Sequence, residues 1–163
     1  MQLQIPIEPP NNIILNQCEV KEIHTDAIFD FINKYHYLGY CPAGAKYRIG
    51  LFYQGHMVGA CLMGRPVARH ENQNDLEITR FVLHPNCPKN TASWFLSRCL
   101  KIAKKDGYKR VISYADTAEG HTGAIYKACN FRCLGHRQTT VWTNRPGRRY
   151  RKPSAKIKYE KML

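Results

Sequence analysis

The sequence predicts a single α+β domain in which a mixed β-sheet is flanked by helices. The chain has 163 residues, a length that suits one domain with one core. Apolar residues recur with the period of a strand in some segments and of a helix in others, in the order β-α-β-β-β-α-β-α-β-β. Strands outnumber helices in this order, so the sheet is predicted to be mixed and not doubly wound.

The first half of the chain is predicted to form an edge strand, a helix and a hairpin. Apolar residues at helical spacing follow a capping residue, and two apolar strands flank a Gly-containing turn. The aromatic segment after the helix contains Tyr35, His36, Tyr37 and Tyr40, a cluster suited to lining a pocket. The predicted segments are an edge strand at 13–23, a helix capped by Thr25 or Asp26 that ends between Tyr37 and Gly39, and hairpin strands at 47–53 and 57–63.

The next strand, Leu76 to Leu83, is predicted to carry one charge on each face. Strict alternation puts Arg80 on the face of Leu76, Ile78 and Val82, and Glu77 on the opposite face. A buried charge whose partner is missing costs about 3 to 5 kcal/mol. Arg80 and Glu77 therefore need partners or water, and a bulge that exposes one of them fits this requirement.

A second helix is predicted from Asn90 or Thr91 to Lys104 and Lys105, before Gly107. Its amino end has small residues, free amides and a lysine, which together form a potential anion site. Every helix has such an end, so its position alone is weak evidence. The cofactor-binding candidates here are Lys89, Asn90, Thr91 and Ser93.

The segment from Ser113 to Phe131 is predicted to carry the chemistry. It contains the end of a buried strand, an acidic residue at Asp116, a Gly-containing loop and a short helix that holds Tyr126. Junctions at the carboxyl ends of strands commonly carry catalytic groups, because a rigid scaffold positions a loop that can approach a ligand. After this segment, residues 131–134 and 139–142 suggest a final hairpin across Gly135.

The formal charge of +13 and the isoelectric point near 9.6 favour a polyanionic partner. From Asn144 onward the chain has eight cations and one acid, so we divide it into a catalytic domain, 1–143, and a basic tail, 144–163. The tail is either a disordered, solubilising segment or an arm that binds phosphates while Tyr150 and Tyr159 stack on bases. The nucleic-acid-binding candidates are Arg145, Arg148, Arg149, Arg151 and Lys152.

Composition also excludes several classes of protein. No apolar run approaches the roughly 18 residues of a membrane span, and the amino-terminal segment lacks the pattern of a secretory signal. The seven cysteines are odd in number and none are spaced CxxC, which argues against a disulfide framework and a zinc ribbon. A reducing, cytoplasmic location is expected, which would be the host cytoplasm for a phage-encoded protein.

The order of elements resembles the GCN5-related N-acetyltransferase (GNAT) fold. The segment GAIYKACNF looks like the fourth-motif helix of that fold, in which a tyrosine, here Tyr126, is commonly placed to protonate the coenzyme A thiolate. More specifically, HYLGYCPAG, GRPVA, LEITRFVLHPNCPKNTAS and SYADTAEGHTGAIYKACNF together resemble the Mom DNA-modification proteins of Mu-like phages. This resemblance spans roughly Tyr35 to Gly135.

The resemblance implies modification of double-stranded DNA at adenine N6 to a carbamoylmethyl (acetamido) form, which protects phage DNA from host restriction. It also implies that iron is a possible cofactor and that Ser93 lies at the donor site. The usual pyrophosphate loop is replaced by HPNCPKNTAS, so acetyl-CoA and another acyl or aminoacyl donor are equally compatible. A homodimer is possible. The implied active-site residues are His36, Tyr37, Arg80, Asp116 and Tyr126.

Each catalytic candidate also has a structural interpretation. Asp116 either accepts a proton from N6 or caps the amides of the following loop. Tyr126 is either the acid for the leaving group or a half-buried helix tyrosine. Arg80 either polarises a carbonyl, binds phosphate, or pairs with an acid such as Glu77. His36 and Tyr37 serve as a proton relay, metal ligands or a stacking wall, or they are structural.

The adenine amine is stacked inside a duplex, so the hypothesis requires the base to be flipped into a pocket formed by the 35–46 loop and the Asp116 loop. Two rival functions stay open. One is a GNAT acetyltransferase acting on a protein, a tRNA or a small amine. The other is a nucleic-acid-binding protein that has lost catalysis.

Overall fold

The computed structural model describes residues 8–36, 44–117, 121–138 and 155–163. They form one seven-stranded sheet in the order β1-β2-β3-β4-β5-β7-β6, with helices on both faces. Only β4 and β5 pair in parallel, which confirms the mixed α+β sheet. The bounds are β1 Glu19–Glu22, α1 Ala27–Tyr35, β2 Ala45–Tyr53, β3 His56–Gly64, β4 Leu76–Leu83, α2 Thr91–Lys105, β5 Arg110–Asp116, α3 Ala124–Ala128, β6 Arg132–Gln138 and β7 Ala155–Met162.

The amino-terminal half follows the sequence prediction closely. Strand β1 lies at the edge of the sheet, although a 3-10 turn at Leu15–Gln17 makes it shorter than expected. The hairpin of β2 and β3 turns at Gln54 and Gly55, whose φ angles are 48° and 80°. Positive φ at both central residues matches the twist of the flanking strands, so this turn sets the predicted register.

Helix α1 packs on one face of the sheet, which we call the α1 face. Its buried residues Ile28 and Ile32 pack with Ala60 and Leu62 of β3. The helix ends at Tyr35, before the predicted end, because His36 adopts an extended conformation with φ −87° and ψ 136°. None of the helices in the described residues is long and apolar enough to span a membrane.

Helices α2 and α3 pack on the opposite face, which we call the helical-pair face. Phe95, Leu96 and Cys99 of α2 and Tyr126 of α3 belong to the main apolar cluster, together with alternate residues of the strands. Helix α2 ends as predicted, since Gly107 has a φ of 93° and its amide binds the Lys104 carbonyl. This satisfies a terminal carbonyl of the helix.

A bulge in β4 corrects the predicted alternation. Leu62 of β3 pairs with Arg80, but the next residue, Met63, pairs with Ile78, so Thr79 is an extra residue in β4. The bulge reverses the alternation after Ile78. As a result, Phe81 packs with the main cluster on the helical-pair face, whereas Arg80, opposite Leu62, lies on the α1 face with Glu77. The bulge was expected, but it exposes neither charge: Glu77 and Arg80 are both 8% exposed.

The parallel pairing of β4 and β5 covers only two positions, Leu76 with Val111 and Glu77 with Ile112. Beyond Ile112 the two strands are no longer paired, whereas β5 stays paired with β7 as far as Asp116. The sheet therefore opens between β4 and β5 toward their carboxyl ends. Backbone groups that line this opening are available to a ligand.

The predicted basic tail is wrong in its second part. Residues 155–162 form β7, which pairs with β5 on one side and β6 on the other. The predicted turn at Gly135 is also wrong, since Gly135 lies within β6, at a bulge, with a φ of 86°. The predicted strand 139–142 and the candidates Arg145, Arg148, Arg149, Arg151 and Lys152 lie outside the described residues.

Candidate active site

Asp116 is the last residue of β5 and is 2% exposed. It pairs with Lys156 of β7 and alternates with Ser113 and Ala115, whose side chains face α2 and α3, so it lies on the α1 face. The chain returns to it after the loop, since the His121 amide donates to the Asp116 carbonyl at 3.3 Å. The amides that Asp116 would cap in the alternative interpretation lie outside the described residues.

Tyr126 lies on the other face of β5. Ser113 Oγ donates a hydrogen bond of 2.7 Å to Tyr126 Oη, and both side chains are buried. The Tyr126 ring packs against Phe131 and Tyr159, with ring centroids 5.4 and 5.1 Å away. A hydroxyl that donates to the phenolic oxygen stabilises that oxygen when it becomes anionic. The geometry therefore suits a tyrosine that releases a proton.

Ser113 places this hydroxyl pair beside the opening in the sheet. It directly follows Ile112, the last residue of β5 that pairs with β4. Sequence reasoning missed Ser113, although a serine inside the apolar strand VISYA was a visible signal. The two sides of β5 at the opening therefore carry different groups, with Tyr126 and Ser113 on one side and Asp116 on the other.

Arg80 lies on the α1 face, in the strand on the other side of the opening. Its Nη1 donates to the carbonyl of Thr79, the bulged residue, at 2.6 Å. The Glu77 carboxylate instead accepts a hydrogen bond of 2.8 Å from the amide of Val67. Burial raises the pKa of Glu77. The main interaction of Glu77 is therefore the hydrogen bond from the Val67 amide and not an ion pair with Arg80.

His36 follows α1 at the carboxyl end of β4. The last turn of α1 is fixed there, because the Tyr35 ring packs against His84 with centroids 5.0 Å apart. His84 Nδ1 accepts from the Asn86 amide at 3.1 Å, which makes Nε2 the donor to Glu8, at 3.3 Å. Asp116 ends the parallel neighbour β5, so His36 and Asp116 both lie toward the carboxyl ends of these two strands. Tyr37 lies outside the described residues.

The donor-site candidates surround the amino end of α2. Thr91 is 1% exposed and its hydroxyl donates to the Pro88 carbonyl at 2.7 Å, so its side chain is turned away from any ligand. Ser93 Oγ donates to the Asn90 carbonyl at 3.2 Å. Lys89 and Asn90 are exposed. The amides of Ala92 and Ser93 lie in the first helical turn, which has no carbonyl of its own helix to bind, so they are suited to an anion.

Comparison with protein families identifies the relatives of this chain. The profile of the Mom protein family matches residues 17–162, which include every described strand and helix from β1 to β7. The chain belongs to the Mom protein family. The family assignment predicted from the segments between Tyr35 and Gly135 is therefore confirmed.

A curated relative of this Mom family member comes from Escherichia phage Mu. It is the methylcarbamoylase mom, which is 28% identical over 96 residues. The aligned part makes up 58% of this chain and 40% of the phage protein. The chain thus matches less than half of the length of that relative.

Solved acetyltransferases share the fold of this Mom family member. A probable acetyltransferase from Staphylococcus epidermidis has a TM-score of 0.64 at 8% identity, covering 89% of this chain and 98% of its own. The putative acetyltransferase yncA from Salmonella typhimurium, solved with its cofactor acetyl-CoA, has a TM-score of 0.65 at 10% identity, covering 91% and 95%. A GNAT family acetyltransferase from Elizabethkingia anophelis with acetyl-CoA bound has a TM-score of 0.62 at 13% identity, covering 91% and 99%. The predicted GNAT fold is confirmed.

The Mom resemblance implies iron as a possible cofactor, but the described part of the chain contains no set of side chains arranged to bind it. Among residues 8–36, 44–117, 121–138 and 155–163, no group of three or more His, Cys, Asp or Glu side chains is arranged to hold a metal ion.

The sequence did not predict a charged network that covers the α1 face of β5 and β7. Glu71 accepts a hydrogen bond from Tyr114 Oη at 3.2 Å and forms a buried ion pair with Lys158. Burial favours a raised pKa for Glu71, but the hydrogen bond and charge of Lys158 outweigh it and lower the pKa. Farther along β7, Glu160 pairs with Arg132 and with Arg110, the latter at 2.7 Å, and these hydrogen bonds lower its pKa.

Proposed function

We propose that this Mom family member transfers a small acyl-derived group, in the carbamoylmethyl (acetamido) class, to N6 of adenine in DNA. The observation that carries the proposal is the opening between β4 and β5, with a buried tyrosine–serine pair on one face of β5 and a carboxylate on the other. Group transfer needs a proton acceptor for the nucleophile and a proton donor for the leaving group, each within hydrogen-bond reach of the atom that it serves. The two faces of β5 supply this arrangement.

Adenine N6 is a weak nucleophile, because its lone pair is delocalised into the ring. In the proposed reaction Asp116 accepts a proton from N6 while the new N6–carbon bond forms. The bond between that carbon and the leaving atom of the donor breaks, and Tyr126 gives its proton to the leaving atom. Ser113 stabilises the tyrosine oxygen through its 2.7 Å hydrogen bond. Arg80 stabilises charge that develops on the transferred group.

A donor of the coenzyme A class would carry the transferred carbon on its leaving sulfur atom. Acetyl-CoA itself would give N6-acetyladenine, whereas a carbamoylmethyl product requires a donor whose methylene carbon bears the leaving atom. Two of the solved structures with this fold hold acetyl-CoA, which supports a donor of this class. The residues suited to its phosphates are the first-turn amides of α2, including Ser93, together with Lys89. Thr91 is excluded from direct contact by its burial.

The substrate end of the proposal rests on the connection between β6 and β7. Gln138 pairs with Ala155, and the neighbouring Lys156 pairs with Asp116, so the end of β6 and the start of β7 lie beside Asp116. This connection contains Arg145, Arg148, Arg149, Arg151 and Lys152, which are suited to the phosphates around an extruded adenine. Modification of the adenine would block restriction enzymes of the host.

The proposal is tested by analysing DNA from bacteria that express the protein. Plasmid DNA is digested to nucleosides and examined by mass spectrometry. Wild-type protein and the exposed-site control Asp30→Asn are expected to produce a modified deoxyadenosine, whereas Asp116→Asn is expected to lose at least 90% of it, since an amide cannot accept the N6 proton at neutral pH. Unmodified DNA from cells that contain soluble wild-type protein would overturn the proposal.

The DNA-binding role of the basic connection has to be tested by substituting its cations, because truncating the chain would also remove β7. Removing the chain after Asn144 would delete β7, so its effect on binding would reflect loss of the sheet. Replacing the five cations between 145 and 152 by glutamine keeps β7 and is expected to weaken DNA binding and reduce its salt dependence.

The second candidate function is acetylation of a protein, a tRNA or a small amine. It is favoured by the solved structures with acetyl-CoA and by the buried Tyr126 hydroxyl. Thermal stabilisation by acetyl-CoA, with turnover on such an acceptor and none on DNA, would select it.

A further inference from the structure

The loop between β3 and β4, residues 65–75, lies against the same sheet face as Asp116. Its Glu71 reaches β5 and β7, where it contacts Tyr114 and Lys158. Arg110 Nη1 adds a contact with Asp75 at 2.8 Å. Tyr114 is two residues before Asp116 and points to the same face, since strand residues alternate. The loop therefore borders the region that the proposed function assigns to the substrate.

Two buried carboxylates hold this loop in shape. Glu77 accepts from the Val67 amide at 2.8 Å, and Glu71, which is 9% exposed, is fixed by its ion pair with Lys158. Inside the loop the Glu71 amide binds the Ala68 carbonyl at 3.1 Å, which closes a tight turn. Burying carboxylates is costly unless they are paired, so this anchoring keeps the loop in a defined conformation.

The anchored loop exposes two cations and an apolar side chain. Arg65 and Arg69 are exposed, and the ion pairs seen within the described residues do not include them. Val67, between them, is 66% exposed. Arg65 and Val67 also line a cleft of about 640 Å³ together with Lys46 and Tyr108. Cations that flank an apolar tip are a pattern found in proteins that grip phosphates and insert an apolar side chain into a DNA groove.

The spacing between this loop and Asp116 suits a duplex. The Val67 amide donates a hydrogen bond to the Glu77 carboxylate, and Glu77 pairs with Ile112 of β5. Asp116 is four residues after Ile112 in the same strand. Four strand residues span about 13 Å. Successive bases of one DNA strand are about 3.4 Å apart along the axis, so this distance is about four base pairs. Arg65 and Val67 line their cleft beside Tyr108, which is eight residues before Asp116, or about 26 Å along the strand. A duplex whose adenine reaches Asp116 would therefore meet the loop between about four and eight base pairs from that adenine.

We propose that Arg65, Arg69 and Val67 form a second DNA contact, in which the arginines bind backbone phosphates and Val67 packs into a groove of the same duplex, several base pairs from the extruded adenine. This inference rests on the proposed DNA-modifying function. The β3–β4 loop then holds the duplex at a point along the sheet from Asp116. The duplex is kept in position while one base leaves the stack.

The test compares two double variants that remove the same charge. Arg65→Gln/Arg69→Gln changes the loop, whereas Lys101→Gln/Lys105→Gln changes exposed cations of α2 on the opposite face of the sheet. Binding of a fluorescent 20-base-pair duplex is measured by anisotropy between 50 and 300 mM salt. The loop variant is expected to bind about tenfold more weakly at 150 mM, with the slope of log K against log[salt] smaller by about 2, and the control is expected to resemble wild type.

The outcomes separate this inference from the proposed function. If wild-type protein modifies DNA and both double variants bind alike, the loop contact is wrong and the function stands. If wild-type protein neither binds nor modifies DNA, the proposed function fails. Val67→Ser tests the apolar contact, since it should weaken binding several-fold without changing the salt slope. Unchanged affinity in that variant would remove Val67 from the contact.

Discussion

The two faces of β5 and β7 are held by different forces. Toward α2 and α3 the strands present Val111, Ser113, Ala115 and Tyr159 to an apolar core, in which the Ser113–Tyr126 hydrogen bond is buried and short. Toward α1 the same strands present alternating acids, lysines and Tyr114 to a charged network. Because its two faces differ, one strand can place a desolvated proton donor on one side of the sheet and present a polar surface to a charged substrate on the other.

The largest expected effect is on the apolar face, at Gly123. A Cβ added there would lie 2.0 Å from Tyr159 Oη, and the residue has a φ of 75°, which disfavours other side chains. Gly123→Ala should lower the free energy of unfolding by about 3 kcal/mol, through backbone strain and overpacking together. Urea unfolding measures this.

The matched control for that prediction is Gly107→Ala. Gly107 has a φ of 93° but no atom within 4 Å of an added Cβ, so it has the strain without the clash. Its expected cost is about 1 kcal/mol. Equal losses in the two variants would mean that Gly123 is not held against Tyr159.

An intermediate effect is expected on the charged face, where two carboxylates should respond in opposite ways. Glu71→Gln leaves Lys158 buried without its acid and should cost about 2 kcal/mol at pH 7. This is less than the roughly 3 to 5 kcal/mol of a fully broken buried pair, because the glutamine oxygen still accepts a hydrogen bond. Glu77→Gln removes a charge that burial disfavours and keeps an oxygen for the Val67 amide, so stability should be unchanged or higher. Urea unfolding of both variants at pH 7 and pH 4 measures this.

The pH dependence follows from the directions of the two pKa shifts. Glu71 has a lowered pKa, so its contribution is present above the ordinary value of 4.5 and is lost as the pH falls through the folded-state pKa. Glu77 has a raised pKa, so its ionisation opposes folding increasingly as the pH rises above 4.5. The Glu71→Gln deficit should therefore shrink in acid. A deficit that is constant with pH would show that the Lys158 pair is not an ion pair.

The smallest expected effect returns to the apolar face, at the tyrosine–serine pair. Ser113→Ala and Tyr126→Phe should each cost about 1 kcal/mol, and the double variant little more, because both singles break the same 2.7 Å hydrogen bond. Ser113→Ala should also lower the rate of DNA modification less than Tyr126→Phe does. Fully additive stability losses would indicate that the hydrogen bond contributes nothing.

The local elements were predictable because their patterns are short-range. The turn at Gln54-Gly55, the Lys104, Lys105 and Gly107 end of α2 and the acidic end of β5 each combine a periodic segment with a residue that only a few conformations favour. Such signals do not depend on the rest of the fold. The family assignment came from unusual segments in a fixed order.

Two errors have a common cause, which is that charge was taken as a sign of solvent exposure. In β7, Lys156, Lys158 and Glu160 alternate with Ile157 and Tyr159. This is the pattern of a strand that has one charged face and one apolar face. The high local charge concealed this alternation. In β4 the bulge at Thr79 moved Arg80 to the face of Glu77, a change that only the pairing with β3 determines. The assignment of the catalytic candidates themselves stays a prediction.

The place of β7 in the sheet also affects the order in which a new chain is completed on the ribosome. β7 is made after β6 yet lies between β5 and β6, and within the described sheet β6 pairs with no other strand. From Gln138 to Met162, translation at ordinary bacterial rates takes roughly one to five seconds. During that time β5 and β6 both have unpaired edges. Asp116 thus acquires its neighbour Lys156 only after the other six strands of the described sheet have been made, so that most of the core precedes the final position of the catalytic candidate.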